Sequence, residues 1–212
     1  MKDRTGILII ISGFSGAGKG TIMKRLLAEY PDAYALSISA TTRAPRQEEA
    51  HGREYFFVSQ EEFESMIAKG ALIEYAQYVD HYYGTPKDYV VQQLGQGKDV
   101  ILEIEVQGAW KVKESYPGAL LLFVPPPSAA ELKRRLMERG TEDEATVASR
   151  LSRACQEAQY AHKYDYLIVN GSLDACVQQV HEIIQNEHAR AARNHALITS
   201  IKAELESFVK GE

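Results

Sequence analysis

The stretch Gly13-Phe-Ser-Gly-Ala-Gly-Lys-Gly-Thr21 carries the most specific chemistry in the chain. It lies between an aliphatic run and a helical pattern, so its backbone N–H groups and the following helix N-terminus can point at a polyphosphate. Gly16 and Gly18, with Ser15 and Ala17 before and between them, permit close backbone approach. Lys19 is placed to reach the β- and γ-phosphates with a mobile positive charge. A Gly-x-x-x-x-Gly-Lys spacing arises by chance in roughly one chain of this length in twenty. The strand–loop–helix setting weakens that reading, and a merely structural glycine turn would not need Lys19. Gly20 stands where the standard loop carries a Ser or Thr hydroxyl for magnesium, and Thr21 comes one place late. Thr21 can still hydrogen-bond a phosphate, while Mg²⁺ would be held mostly by phosphate oxygens and water.

A second anion site is written in Ala40-Thr-Thr-Arg-Ala-Pro-Arg46. Arg43 and Arg46 flank Pro45, and two guanidiniums suit a doubly charged monophosphate. Alone they read as solvated surface arginines. They are followed, however, by an ordered set of Tyr55, Glu74, Tyr83 and Thr85 in short aromatic segments. Further on, Glu103 and Glu105 are two apart in an extended-looking run, which would turn both to one face. Arg135 and Arg139 are four apart on a helical pattern and share a face, and Arg150 follows an acidic turn.

The elements that must position these residues alternate. Ile7–Ile11, Asp99–Val106, Ala119–Val124 and Tyr166–Val169 are non-alternating apolar runs of the kind that form central parallel strands covered on both faces. Helical patterns lie between them: Thr21–Tyr30 ahead of Pro31, Ser128–Arg139 from a Ser cap to Gly140, and a segment spaced by Leu173, Val177, Val180 and Ile184. Strand alternating with helix predicts an α/β fold, a doubly wound parallel sheet with helices on both faces. Residues 37–85 break that rhythm and read as a small mixed α/β insertion with one helix near Gln60–Ala68. Residues 126–150 read as a helical lid, leaving 1–36, 86–125 and 151–193 as the core and 194–212 as a helical tail.

At 212 residues the chain exceeds the prior of about 150 per domain, which two insertions on one core would explain. A formal charge of −5 argues against a broad basic surface for nucleic acid or anionic lipid, so any anion must be gripped locally. Cys155 and Cys176 are too few for a disulfide scaffold and lack metal-ligand spacing, which points to a reducing, cytoplasmic setting. The first apolar run is far short of a membrane span. Nothing in the pattern decides between a monomer and a homo-oligomer.

Taken in order, these motifs resemble guanylate kinase. The resemblance runs from the phosphate loop to about His188 and includes Thr41-Thr42-Arg43 with Pro45-Arg46, the Tyr-Phe-Phe strand, Ile73-Glu74, Tyr82-Tyr83-Gly84, Arg139-Gly140-Thr141 and Tyr166-Leu-Ile-Val-Asn170. It implies transfer of the γ-phosphoryl group of ATP to GMP, and to dGMP, with Mg²⁺ as cofactor. Gly13 to Thr21 and Asn170 would bind ATP. Arg43, Arg46, Tyr55 and Tyr83 would bind the GMP phosphate. Glu74, Ser39, Thr85 and Glu105 would bind the base, and Glu103 would hold magnesium through water. Lys19, Arg43 and the lid arginines Arg135, Arg139 and Arg150 would be catalytic. This chain departs from the usual pattern in carrying Glu rather than Asp at 103 and 105, Phe14 rather than Pro or Ala, and Gly171-Ser172 after Asn170. A peptide-binding module of the same fold is the rival reading, and its members typically lose the loop glycines or lysine kept here.

Overall fold

The computed structural model describes residues 5–78, 80–138 and 143–210, and the side chains of Tyr78 and Lys210 lie outside the description. In chain order the strands are Leu8–Ser12 (β1), Tyr34–Leu36 (β2), Ser39–Thr41 (β3), Tyr55–Phe57 (β4), Leu72–Tyr78 (β5), His81–Pro86 (β6), Asp99–Glu103 (β7), Leu120–Phe123 (β8) and Tyr166–Leu167 (β9). The helices are Lys19–Glu29 (α1), Gln60–Ala68 (α2), Lys87–Gly95 (α3), Val106–Ser115 (α4), Ala129–Glu138 (α5), Glu144–Ala158 (α6), Leu173–His188 (α7) and His195–Lys210 (α8).

Every residue of β1 is buried, which the aliphatic run demands and which only a central strand satisfies. It pairs in parallel with β7 on one side and β8 on the other; β2 and β9 complete a five-stranded sheet in the order β2-β7-β1-β8-β9. The order reverses beside β1, where open α/β sheets bind ligands beyond their strand ends. Asp99, buried at the start of β7, accepts the Ile7 N–H at 2.7 Å and ties the two strands together. One apolar cluster of Leu8, Ile10, Val100, Leu102, Leu121 and Phe123 is joined by α4 through Val106, Ala109 and Val112.

A second, four-stranded sheet has the order β4-β3-β6-β5, with β3–β4 parallel and the other two pairs antiparallel. It occupies the region expected as a mixed insertion, and α2 spans the residues expected of its helix. A capping box fixes the start of α2: Ser59 Oγ accepts the Glu62 N–H at 3.1 Å and Glu62 accepts the Ser59 N–H at 2.7 Å. Helices α5 and α6 share a small apolar core of Leu132, Leu136, Val147 and Ala154.

Several sequence-based bounds shift. The helix expected from Thr21 begins at Lys19, because the loop glycines hand over directly to it. The strand expected to run to Val106 ends at Glu103. The Ser12 hydroxyl donates to the Ile104 carbonyl at 2.7 Å, Glu105 occupies the N-cap position of α4, and Val106 is already helical. The fourth strand is only Tyr166–Leu167, both exposed at the sheet edge. Helix α3 and the short edge strand β2 carried no strong periodic signal.

The chain divides into a compact unit up to Val177 and another from Gln178 onward. In the second, Glu187 is buried and accepts hydrogen bonds from Arg190 and Arg193, both at 3.1 Å, while the Asn194 amide donates to the His188 carbonyl at 2.8 Å. Helix α8 exposes Leu197, Ile201, Leu205 and Phe208. No described helix is long and apolar enough to cross a membrane.

Candidate functional site

The loop between β1 and α1 folds as its glycines require. Gly13 has φ 152° and a Cβ there would lie 2.2 Å from the Val124 carbonyl oxygen. Gly18, at φ 91°, is the N-cap of α1, and a Cβ on it would lie 2.6 Å from Asn170 Nδ2. Both positions therefore exclude a side chain for reasons of backbone and space together. Lys19 opens α1 and folds back, its Nζ donating to the carbonyls of Gly13 at 2.8 Å and Phe14 at 3.2 Å. Its ammonium thus spans the concavity of the loop. Gly20 and Thr21 are exposed on the first turn of α1.

Around this loop three other elements converge. Asn170 donates from Nδ2 to the Ala17 carbonyl at 2.7 Å. Arg135 on α5 donates to the carbonyls of Ala17 at 3.2 Å and Asn170 at 2.9 Å, while Glu131 holds its Nε at 2.7 Å. Arg150 on α6 donates to Ser15 Oγ at 2.9 Å. The Phe14 ring meets Phe123 edge-on at 5.2 Å and also packs against the shared α5–α6 core. Two of the three predicted lid arginines are therefore seated on the phosphate loop, and Arg139 lies outside the described residues.

Glu103 ends β7 with its side chain turned to this region. Glu103 is solvent-accessible, yet partial desolvation by its surroundings pushes its carboxyl up from the ordinary value, opposed by the Lys19 ammonium. Among the described residues no group of three or more His, Cys, Asp or Glu is arranged to hold a metal. Glu103 offers one carboxylate beside the Lys19 ammonium, a donor set suited to Mg²⁺ that takes most of its ligands from substrate phosphates and water.

The second sheet gathers the other predicted set. Register places Ser39 opposite Tyr55 and Thr41 opposite Tyr83, so β3, β4 and β6 bring these side chains together. The rings of Tyr55 and Tyr83 are 6.0 Å apart, and the Arg43 guanidinium lies 5.5 Å from the Tyr55 ring centre. Burial raises the Tyr55 phenol, so it remains an O–H donor at neutral pH. Arg43 donates through one nitrogen to both oxygens of Glu49, each at 2.9 Å, and through another to the Ala44 carbonyl at 2.7 Å. Glu49 also accepts the Arg46 N–H at 2.8 Å, and that bond, ahead of Arg43, lowers its carboxyl pKa. The Arg46 side chain is exposed.

Glu74, on β5, faces Thr85, the fully buried residue of β6 whose hydroxyl donates to Glu74 Oε1 at 2.7 Å. Desolvation pushes the Glu74 carboxyl up, with the Thr85 bond and Lys111 opposing. A Cβ at Gly108 on α4 would lie 3.8 Å from Glu74 Oε2. The result is a walled carboxylate with one oxygen engaged by Thr85 and the other bordering Gly108.

Residues 5–187 match the family model described as guanylate kinase. The chain belongs to the guanylate kinase family. It is 48% identical over 201 residues to a guanylate kinase of Caldanaerobacter subterraneus subsp. tengcongensis, covering 95% of this chain and 97% of that one. It is 47% identical over 206 residues to the guanylate kinase of Clostridioides difficile, covering 97% and 100%. Among solved structures, guanylate kinase from Anaplasma phagocytophilum matches with a TM-score of 0.70 at 30% identity, over 91% of this chain and 92% of that one.

Two features of this guanylate kinase family member differ from simple sequence reasoning. Glu105 and Glu103 do not share a strand face, because β7 ends between them; Glu105 instead forms an ion pair with Arg153 of α6. Glu49, Arg153 and Glu157 are charged groups of the site region that the motifs did not single out. For Arg153 and Glu157 the signal was their spacing from Arg150 by successive helical turns, whereas Glu49, in the loop after β3, carried none.

Proposed function

We propose that this chain transfers the γ-phosphoryl group of ATP to GMP, giving ADP and GDP, and accepts dGMP as a second acceptor. The observation that carries this reading is the pairing, within one unit, of a polyphosphate loop with a walled carboxylate. In this reading the loop N–H groups from Gly13 to Thr21 and the Lys19 ammonium bind the donor phosphates, and Asn170 borders its adenine. Arg43, Arg46 and the hydroxyls of Tyr55 and Tyr83 take the acceptor phosphate, with Arg43 exchanging Glu49 for a more highly charged partner.

Glu74 accepts from guanine N1–H and the 2-amino group, supported by Thr85, Ser39 and Glu105. Adenine lacks that donor pair, so it would leave a desolvated carboxylate unsatisfied. The GMP phosphate oxygen attacks in line. It is ionised near neutral pH and needs no protein base, so the protein contributes position and electrostatics. Arg135, Arg139 and Arg150 add positive charge to the transferring group and shield it from water. Magnesium, when bound near Glu103 through water, supplies charge neutralisation on the donor phosphates. The 37–85 insertion and the 126–150 lid close over the substrates. A cytoplasmic setting in purine nucleotide metabolism goes with this activity.

The test is ³¹P NMR of ATP, Mg²⁺ and GMP with the full chain. ADP and GDP should appear in equal amounts, and Lys19→Ala should slow both by roughly a hundredfold or more. ADP appearing without GDP would refute the reading.

A further inference from the structure

Helix α6 carries two arginines one turn apart that reach different parts of the unit. Arg150 engages Ser15 of the phosphate loop at 2.9 Å. Arg153 forks between Glu105, at the N-cap of α4, and Glu157, whose Oε1 is 3.3 Å from the Arg153 Nε. An ion pair between two exposed side chains contributes little to stability. This one has a third member of a different kind, since the Glu157 side chain is only 14% exposed. Its Oε2 is buried and has no hydrogen-bond partner among the described residues. Desolvation raises the Glu157 carboxyl, and Arg153 followed by Lys19 opposes that rise. A carboxylate with little water to turn to holds its counter-ion more firmly than a solvated one.

Glu105 belongs to the other side of the unit. It opens α4, the helix that packs against β5, and the Gly108 backbone of α4 borders Glu74. Contacts therefore run from Ser15 through Arg150 and Arg153 to Glu105, and along α4 to the base pocket. We propose that Arg153 is a positioning residue that latches α6 to the start of α4, coupling the seating of α6 on the phosphate loop to the setting of the GMP pocket. The coupling to GMP rests on the ATP:GMP reading, whereas the latch is a property of two helices.

The chain supplies its own reporters. Its one tryptophan, Trp110, is on α4, and Cys155 is an exposed thiol on α6 while Cys176 is buried. With a short-range acceptor dye on Cys155, energy transfer from Trp110 reads the separation of the two helices in the full chain. Arg153→Ala and Glu105→Gln should each lower the transfer to the same level, the double variant should lower it no further, and Arg153→Lys should recover most of it. In the labelled and unlabelled protein alike, Arg153→Ala should raise KM for GMP about three- to tenfold while kcat stays within about twofold. Unchanged transfer in Arg153→Ala, additive losses in the double variant, or an unchanged KM would each overturn the proposal. A wild type that shows the transfer pattern but no GDP formation would overturn the substrate assignment and leave the latch standing. Normal GDP formation without the transfer pattern would do the reverse.

Discussion

In the proposed reading Glu74 accepts two guanine N–H groups, which it can do only as a carboxylate, yet its walls favour the protonated form. Desolvation is the leading cause of its raised pKa, with the Thr85 hydroxyl and Lys111 acting against it. The acid limb of kcat/KM for GMP should therefore lie above the ordinary glutamate value of about 4.3. In Glu74→Gln that limb should move or vanish, together with much of the GMP preference; a limb unchanged by the substitution would assign it to another group. The same shift has a thermodynamic consequence of opposite sense. Because the folded state holds this proton more tightly than the unfolded state, Glu74's contribution to stability declines as pH rises from the ordinary carboxylate range through its own raised value. Recognition and stability thus pull in opposite directions at this residue, a common feature of functional groups in low-dielectric sites.

Among the elements, Phe14 is an apolar link between the phosphate loop and α5–α6. Phe14 meets Phe123 of β8 and also packs against the core that α5 and α6 share. Phe14→Ala should cost about 2–3 kcal/mol in urea unfolding, less than a fully buried phenylalanine because the ring is partly exposed. It should also raise KM for ATP by loosening the seat of Arg135 and Arg150. Loss of stability with an unchanged KM would make Phe14 a core residue only. At this scale the sequence was legible where burial and chemistry coincide. The β1 run, the glycine loop and the α2 helix carry their signals locally, in aliphatic continuity, glycine spacing and a Ser–Glu cap. The end of β7 did not, since in Asp99-Val-Ile-Leu-Glu-Ile-Glu-Val106 the β-branched Ile104 and Val106 continue past the strand's end and no Gly or Pro marks a stop. What stops the strand is the Ser12 hydroxyl taking the Ile104 carbonyl, a partner 92 residues away that local patterning cannot reveal. The Arg153–Glu105 pair was hidden for the same reason.

For the whole molecule, a formal charge of −5 coexists with two local concentrations of positive charge, one at Lys19, Arg135 and Arg150 and one at Arg43 and Arg46. They belong to different parts of the fold, the first on the helices α1, α5 and α6, the second in the loop after β3 of the mixed sheet. Such a division suits two phosphate-bearing substrates that must be kept apart until they react. Charge alone would attract any nucleoside monophosphate to the second site, so specificity must come from the base pocket. The most direct measurement of this account is the kcat/KM for GMP against that for AMP, in the wild type and in Glu74→Ala. The wild type should favour GMP by at least about a hundredfold, the scale set by a buried hydrogen-bonding group left unpaired, and Glu74→Ala should erase most of that ratio. Equal turnover of AMP by the wild type, or an undiminished preference for GMP in the variant, would contradict it.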